Sequence, residues 1–115
     1  LNKLSDKVYK KLEKISSEIE HGIQQIIKKE NINAIVQRQG SMMTLFFTDA
    51  KKIENYNDAQ KCNTEKYSEF FKIMLDNGVY LPPSQFEAMF ISTALNKNDI
   101  NKIIDTCSIA LKKIK

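Results

Sequence analysis

The sequence predicts an α+β fold, with a small, mainly antiparallel sheet of three to four strands packed by helices. Three observations carry this expectation. Leu4, Val8, Leu12, Ile15, Ile19, Ile23 and Ile26 recur at three- and four-residue steps and make one apolar helical stripe. Ala34 to Arg38 and Ser41 to Thr48 are strand-like runs on either side of Gln39-Gly40, the pattern of a hairpin. Two more helical patterns follow, one from Thr64 and one after Asn96, with a strand-like run from Phe86 to Ser92 between them. The expected order is α-β-β-α-β-β-α, with one very short strand.

Each element has a local reason. Asn31 and Asn33 end the first helix. In the second hairpin strand Met43, Leu45 and Phe47 share one face, and Met42, Thr44 and Phe46 the other. Both faces are largely apolar, which predicts cover on both sides and implies a partner domain or subunit. Residues 49–63 are polar, and Asn55, Asn57 and Asp58 read as turn formers in a loop. The helix from Thr64 to Asn77 buries Tyr67, Phe70, Phe71, Met74 and Leu75, and Gly78 suits its left-handed cap. Val79-Tyr80-Leu81 is the short strand. Pro82-Pro83 then forces an extended connection without backbone donors. Asn96, with Asp99 three residues on, forms a capping box for the last helix, whose apolar face is Ile100, Ile103, Ile104, Cys107, Leu111 and Ile114.

The chain of 115 residues makes one domain, residues 1–115, with 42% apolar and 28% charged residues, an ordinary globular mixture. Its net charge of +4 comes from 18 basic and 14 acidic groups. Lysines spread along the chain supply almost all of the positive charge. Arg38 is the single arginine and there is no tryptophan, so the guanidinium forks and aromatic platforms of nucleic-acid recognition are lacking. No apolar run reaches the length of a membrane span, and lysines and acids interrupt the first residues where a signal peptide would be apolar. Neither a nucleic-acid nor a membrane partner is expected. Cys62 and Cys107 lack metal or redox spacing and read as reduced thiols of a cytoplasmic protein. His21 is the single histidine, and no metal site is expected.

The most informative stretch runs from Gly78 to Ser92. Its one carboxylate, Glu87, lies among Phe86, Ala88, Met89, Phe90 and Ile91. Such a group either faces solvent by strand alternation or is held by a partner. Pro82-Pro83-Ser84-Gln85 beside it makes an irregular backbone, and Ser84 and Gln85 supply neutral donors and acceptors. A carboxylate in that company suits a substrate ammonium or a proton transfer. Arg38 has the chemistry to clamp a carboxylate or phosphate, yet a lone arginine at a strand end reads as a surface residue. Glycine-rich phosphate cradles and paired-cysteine zinc motifs are missing, as is any histidine beside a serine.

The run Gly78-Val79-Tyr80-Leu81, followed by Pro83-Ser84-Gln85-Phe86-Glu87-Ala88, resembles the GVYL-P-SQFEA signature of the glutamate-1-semialdehyde 2,1-aminomutase family of class III pyridoxal-phosphate enzymes. Gly40 to Phe47 is similar to the family's GSMFTLFF strand, with Met43 where phenylalanine is common. Residues 55–63 resemble its NYDDAKKCDT loop, and Tyr67, Glu69, Phe70, Phe71, Met74 and Leu75 the helix that follows. Leu95 stands near where a histidine is often seen. The resemblance implies the C-terminal small domain of a fold type I homodimer, with the cofactor-binding large domain absent from this chain. Family members isomerise glutamate-1-semialdehyde to 5-aminolevulinate in tetrapyrrole (porphyrin) biosynthesis. By resemblance, Glu87 is the substrate-facing catalytic carboxylate, with Ser84 and Gln85 binding substrate. The parent enzyme uses pyridoxal 5'-phosphate. No lysine here matches the Schiff-base motif, so this chain alone is expected to bind no cofactor and to be inactive. The implied partners are its own large domain, the second subunit and a small-molecule substrate. Two other readings stay open: the C-terminal domain of another class III transaminase, and a freestanding non-catalytic module that binds a ligand or partner.

Overall fold

The computed structural model describes residues 3–81, 89–90 and 95–114, with side chains for 6–55, 57–81 and 95–114. The elements run α1 (Lys3–Lys29), β1 (Ile35–Gln39), β2 (Met42–Phe46), α2 (Tyr56–Gln60), α3 (Thr64–Asp76), β3 (Met89–Phe90) and α4 (Lys97–Ile114). The three strands form one antiparallel sheet in the order β1-β2-β3. The fold class is the α+β arrangement that the sequence predicts.

Helix α1 needs both stripe and cap. Ile15, Ile19 and Ile23 are buried in the main core, and Leu12, Ile26 and Ile27 pack at its margin. The helix closes in a Schellman motif. Asn31 takes a positive φ of 53°, its amide donates to the Lys28 carbonyl, and the Ile32 amide donates to that of Ile27. At about 1.5 Å per residue, 27 residues extend about 40 Å, close to the 43 Å long axis of the molecule. The sheet and α4 are shorter, so the stripe outruns the core. Val8, expected inside, is 46% exposed, and Tyr9 beside it is 68% exposed.

The hairpin has the predicted register. Gln39 pairs with Met42 across Gly40-Ser41, and Gly40 supplies the positive φ, 60°, of the turn. Met43, Leu45 and Phe47 point into the main core with Ala34 and Val36. Helix α3 adds Tyr67, Phe70 and Met74 to that core, and α4 adds Ile100, Cys107, Ala110, Leu111 and Ile114. Helix α4 packs against both α1 and α3. It begins with the expected capping box: the Asp99 amide donates to Asn96 Oδ1 at 2.8 Å, and the Asn96 amide donates to Asp99 Oδ2 at 3.0 Å. At the end of α3, Gly78 has a φ of 82°, its amide donates to Leu75, and the Val79 amide donates to Met74. This is the predicted glycine cap.

Three expectations are corrected. Leu75 is 47% exposed rather than buried, because the contact of α3 with the core is centred on Phe70 and Met74. Residues 49–63 are not all loop. Asn55 accepts from the Asp58 amide, and this cap starts the short α2. Val79 to Leu81 is no strand. The run alternates like one, with Val79 and Leu81 buried and Tyr80 71% exposed, but among the described residues no neighbouring strand pairs with it. The predicted strand from Phe86 to Ser92 is seen as Met89–Phe90, and its other residues lie outside the described ones.

Cover on the second face of the sheet is divided. Phe46 and Ile35, partners across the β1–β2 ladder, pack with Ile53, Ala59 and Cys62 in a small cluster separate from the main core. Toward the turn the same face is open, and Met42 is 39% exposed.

Candidate functional site

Ser84, Gln85 and Glu87, the residues the sequence singles out, lie outside the described residues. The structure describes the residues on either side of them. On one side, Leu81 is 6% exposed and belongs to the main core. On the other side, Met89 and Phe90 pair with Met43 and Met42 at the edge of the sheet. Further on, Leu95 packs against the core. The segment that carries the polar residues therefore joins two anchored points, one in the core and one in the sheet. Tyr80, just before it, stands outward with its ring edge-on to Phe71 at 6.1 Å.

Arg38 is not the surface residue that the sequence suggests, nor is it free to clamp a ligand. Its side chain is only 15% exposed. Nε donates to Glu20 at 2.9 Å. Nη1 and Nη2 each donate to a Glu13 oxygen at 3.0 Å, and Nη1 also donates to the Gly40 carbonyl at 2.8 Å. The planar fork thus ties the hairpin to α1, and its hydrogen bonds hold Glu13 below the usual carboxylate range. A lysine offers no fork, so Arg38→Lys is expected to lower the thermal midpoint by several degrees. Because the folded pKa of Glu13 is depressed, the unfolded chain binds more protons in acid. The contribution of the clamp therefore starts to fall at the ordinary carboxylate pKa and is lost as pH drops through the lower folded value of Glu13. Thermal melts of Arg38→Lys and Glu13→Gln against pH are the check. A wild-type acid profile in both variants counts against the clamp.

The other candidate groups are ordinary. Burial pushes the Cys107 thiol up to about 12 and also raises Cys62, so neither is an activated nucleophile. His21 is exposed. Among the described residues no group of three or more histidine, cysteine or acidic side chains comes together to hold a metal ion. No described helix is long and apolar enough to cross a membrane. A cavity of about 30 Å³ lies in the core between Ile23, Met43, Tyr67, Phe70 and Cys107. Small-molecule pockets run to about 300–1,000 Å³, and no lysine lines this one.

One feature escaped the sequence reading altogether. The Gln37 side-chain amide pairs with the backbone of Ile53 as a peptide group would. Its Nε2 donates to the Ile53 carbonyl at 3.0 Å, and its Oε1 accepts from the Ile53 amide. A glutamine in a strand carries no signal for such a distant partner. The start of α2, expected as loop, carried a signal that could have found it: Asn55 with Asp58 three residues on is a capping pattern.

No family model matches the chain. Similarity to individual proteins is strong. The chain is 42% identical over 107 residues to a glutamate-1-semialdehyde 2,1-aminomutase of Fusobacterium nucleatum, covering 93% of this chain and 25% of that protein. It is 45% identical over 97 residues to one of Clostridium perfringens strain SM101, covering 84% and 23%. Among solved structures, a glutamate-1-semialdehyde aminomutase of Pseudomonas aeruginosa PAO1 superposes with a TM-score of 0.81 at 16% identity, over 95% of this chain and 24% of the other. An omega-transaminase of Sphaerobacter thermophilus reaches 0.74 at 11% identity, over 92% and 24%. At such identities the structures establish the fold, and the sequence relatives carry the relationship. The chain spans about a quarter of the length of the proteins it matches. It belongs with the glutamate-1-semialdehyde 2,1-aminomutases, as a counterpart of their C-terminal quarter.

Proposed function

We propose that the chain is the small domain of an enzyme that isomerises glutamate-1-semialdehyde to 5-aminolevulinate, a step of tetrapyrrole synthesis in the cytoplasm. The observation that carries this reading is the 42% identity over nearly the whole chain to an aminomutase. The omega-transaminase likeness, at 11% identity, is one of fold alone. In the homodimeric parent, pyridoxal phosphate supplies the electron sink for moving an amino group between adjacent carbons. The large domain holds that group. This chain supplies a wall of the substrate pocket. Glu87 faces the amines of the substrate and of its diamino intermediate, where a carboxylate is a fitting partner, and Ser84 and Gln85 orient the substrate by neutral hydrogen bonds. The core anchor at Leu81 and the sheet anchor at Met89 support this reading, since a positioned carboxylate needs a fixed mounting.

The full-length protein carrying this chain is expected to convert glutamate-1-semialdehyde to 5-aminolevulinate without an added amino donor. A requirement for a donor would make it a transaminase instead. In that protein Glu87→Gln is expected to leave the fold intact and to lower turnover by about tenfold or more, as loss of a proton-transfer or charge-pairing group does. Exposed Glu69 serves as the control, with Glu69→Gln expected to leave the rate unchanged. Wild-type kinetics in the Glu87 variant would remove that residue from the site.

A further inference from the structure

We propose that residues 49–62 form a strap over the outer face of the sheet, one that opens as a local unit while the main core stays closed. This inference does not rest on the aminomutase reading. Between β1 and β2 that face carries three cross-strand pairs: Ile35 with Phe46, Gln37 with Thr44, and Gln39 with Met42. The strap covers the first pair with Ile53, Ala59 and Cys62. It is fastened at the second, where the Gln37 amide holds the Ile53 backbone. Past that fastening a cleft of about 360 Å³ runs along Gln37, Gln39, Met42, Thr44 and Phe46.

Among the described residues the attachments shown are few. None of the buried residues under the strap belongs to the main core. At its exit the Asn63 amide donates to the Phe47 carbonyl at 2.8 Å, and the Cys62 thiol has a side-chain hydrogen bond with Thr48. The Lys52–Glu54 ion pair is solvated and lies within the strap, so it fastens nothing. A segment with little buried apolar surface and few bonds to the body opens at a lower free energy than the body unfolds. Opening would extend the cleft over the Ile35–Phe46 pair and expose the apolar side chains packed there.

The chain carries its own reporters. Cys62 is a buried residue of the strap itself, packed with Phe46, and Cys107 is buried in the main core. Under native conditions a maleimide should label Cys62 about tenfold or more faster than Cys107, with a much weaker dependence on urea, because less surface is exposed by local opening. Ile53→Ala should speed labelling of Cys62 by about tenfold or more and leave Cys107 at its wild-type rate. Two outcomes overturn the proposal. One is labelling of both wild-type thiols at a common rate with a common urea dependence, which would mean that only global unfolding exposes them. The other is an Ile53→Ala variant that labels Cys62 no faster, or that speeds both thiols equally. Should Ile53→Ala lose its helical circular dichroism, the two wild-type rates and their urea slopes decide the matter.

Discussion

Phe70→Ala is expected to lower the free energy of unfolding by about 3–5 kcal/mol, a large part of the roughly 5–15 kcal/mol that holds a domain together. Phe70 is 1% exposed and sits where three elements meet. Its ring lies 5.7 Å from Phe47, edge to face, and 6.2 Å from Tyr67. Phe47 in turn meets Tyr67 edge-on at 6.4 Å. Deleting the ring removes buried apolar area and both aromatic contacts, and it enlarges the cavity that Phe70 already lines. Urea unfolding followed by circular dichroism is the measurement. A loss below about 1 kcal/mol would show that the trio is not the keystone described, since that is the range of ordinary substitutions.

The second large effect is expected where α1 meets α4. A Cβ on Gly22 would lie 2.7 Å from Ile104 Cδ1, 3.0 Å from Cγ1 and 3.2 Å from Cγ2. Glycine costs about 1 kcal/mol in a helix interior relative to alanine, so its presence in the middle of α1 reflects the approach of its neighbour. Gly22→Leu is expected to destabilise by about 1–3 kcal/mol in spite of its better helix propensity, because the added side chain forces the helices apart. Ile104→Ala should be destabilising alone and should restore stability in the Gly22→Leu background. A double-mutant cycle reads that coupling, and additive losses would show that the helices do not meet there.

Much of the local structure was legible along the chain. The Asn96–Asp99 box, the Gly78 cap and the Gln39–Met42 hairpin each depend on backbone chemistry within a few residues, and each is found where its pattern stands. The Gly78 to Ala88 run was legible as a resemblance, and the sequence relatives place the chain accordingly. The limits of burial were not legible. Val8 and Leu75 continue apolar stripes as regularly as Ile19 or Met74 do. Which residue of a stripe is covered depends on how far the opposing element extends.

By itself, then, the sequence determined the type of the longer elements, most caps and turns, and the family, because each of these rests on near neighbours or on residue-by-residue likeness. Only the tertiary structure decided what joins distant segments. It brought Arg38 to Glu13 and Glu20 from α1, paired the Gln37 amide with the Ile53 backbone, and set Gly22 against Ile104. It also divided the apolar residues between a main core and a small cluster under a strap. The physical reason is common to all of these. A side chain's own pattern states what it can bond or bury, whereas its actual partner depends on which surface the fold brings within about 3–4 Å of it.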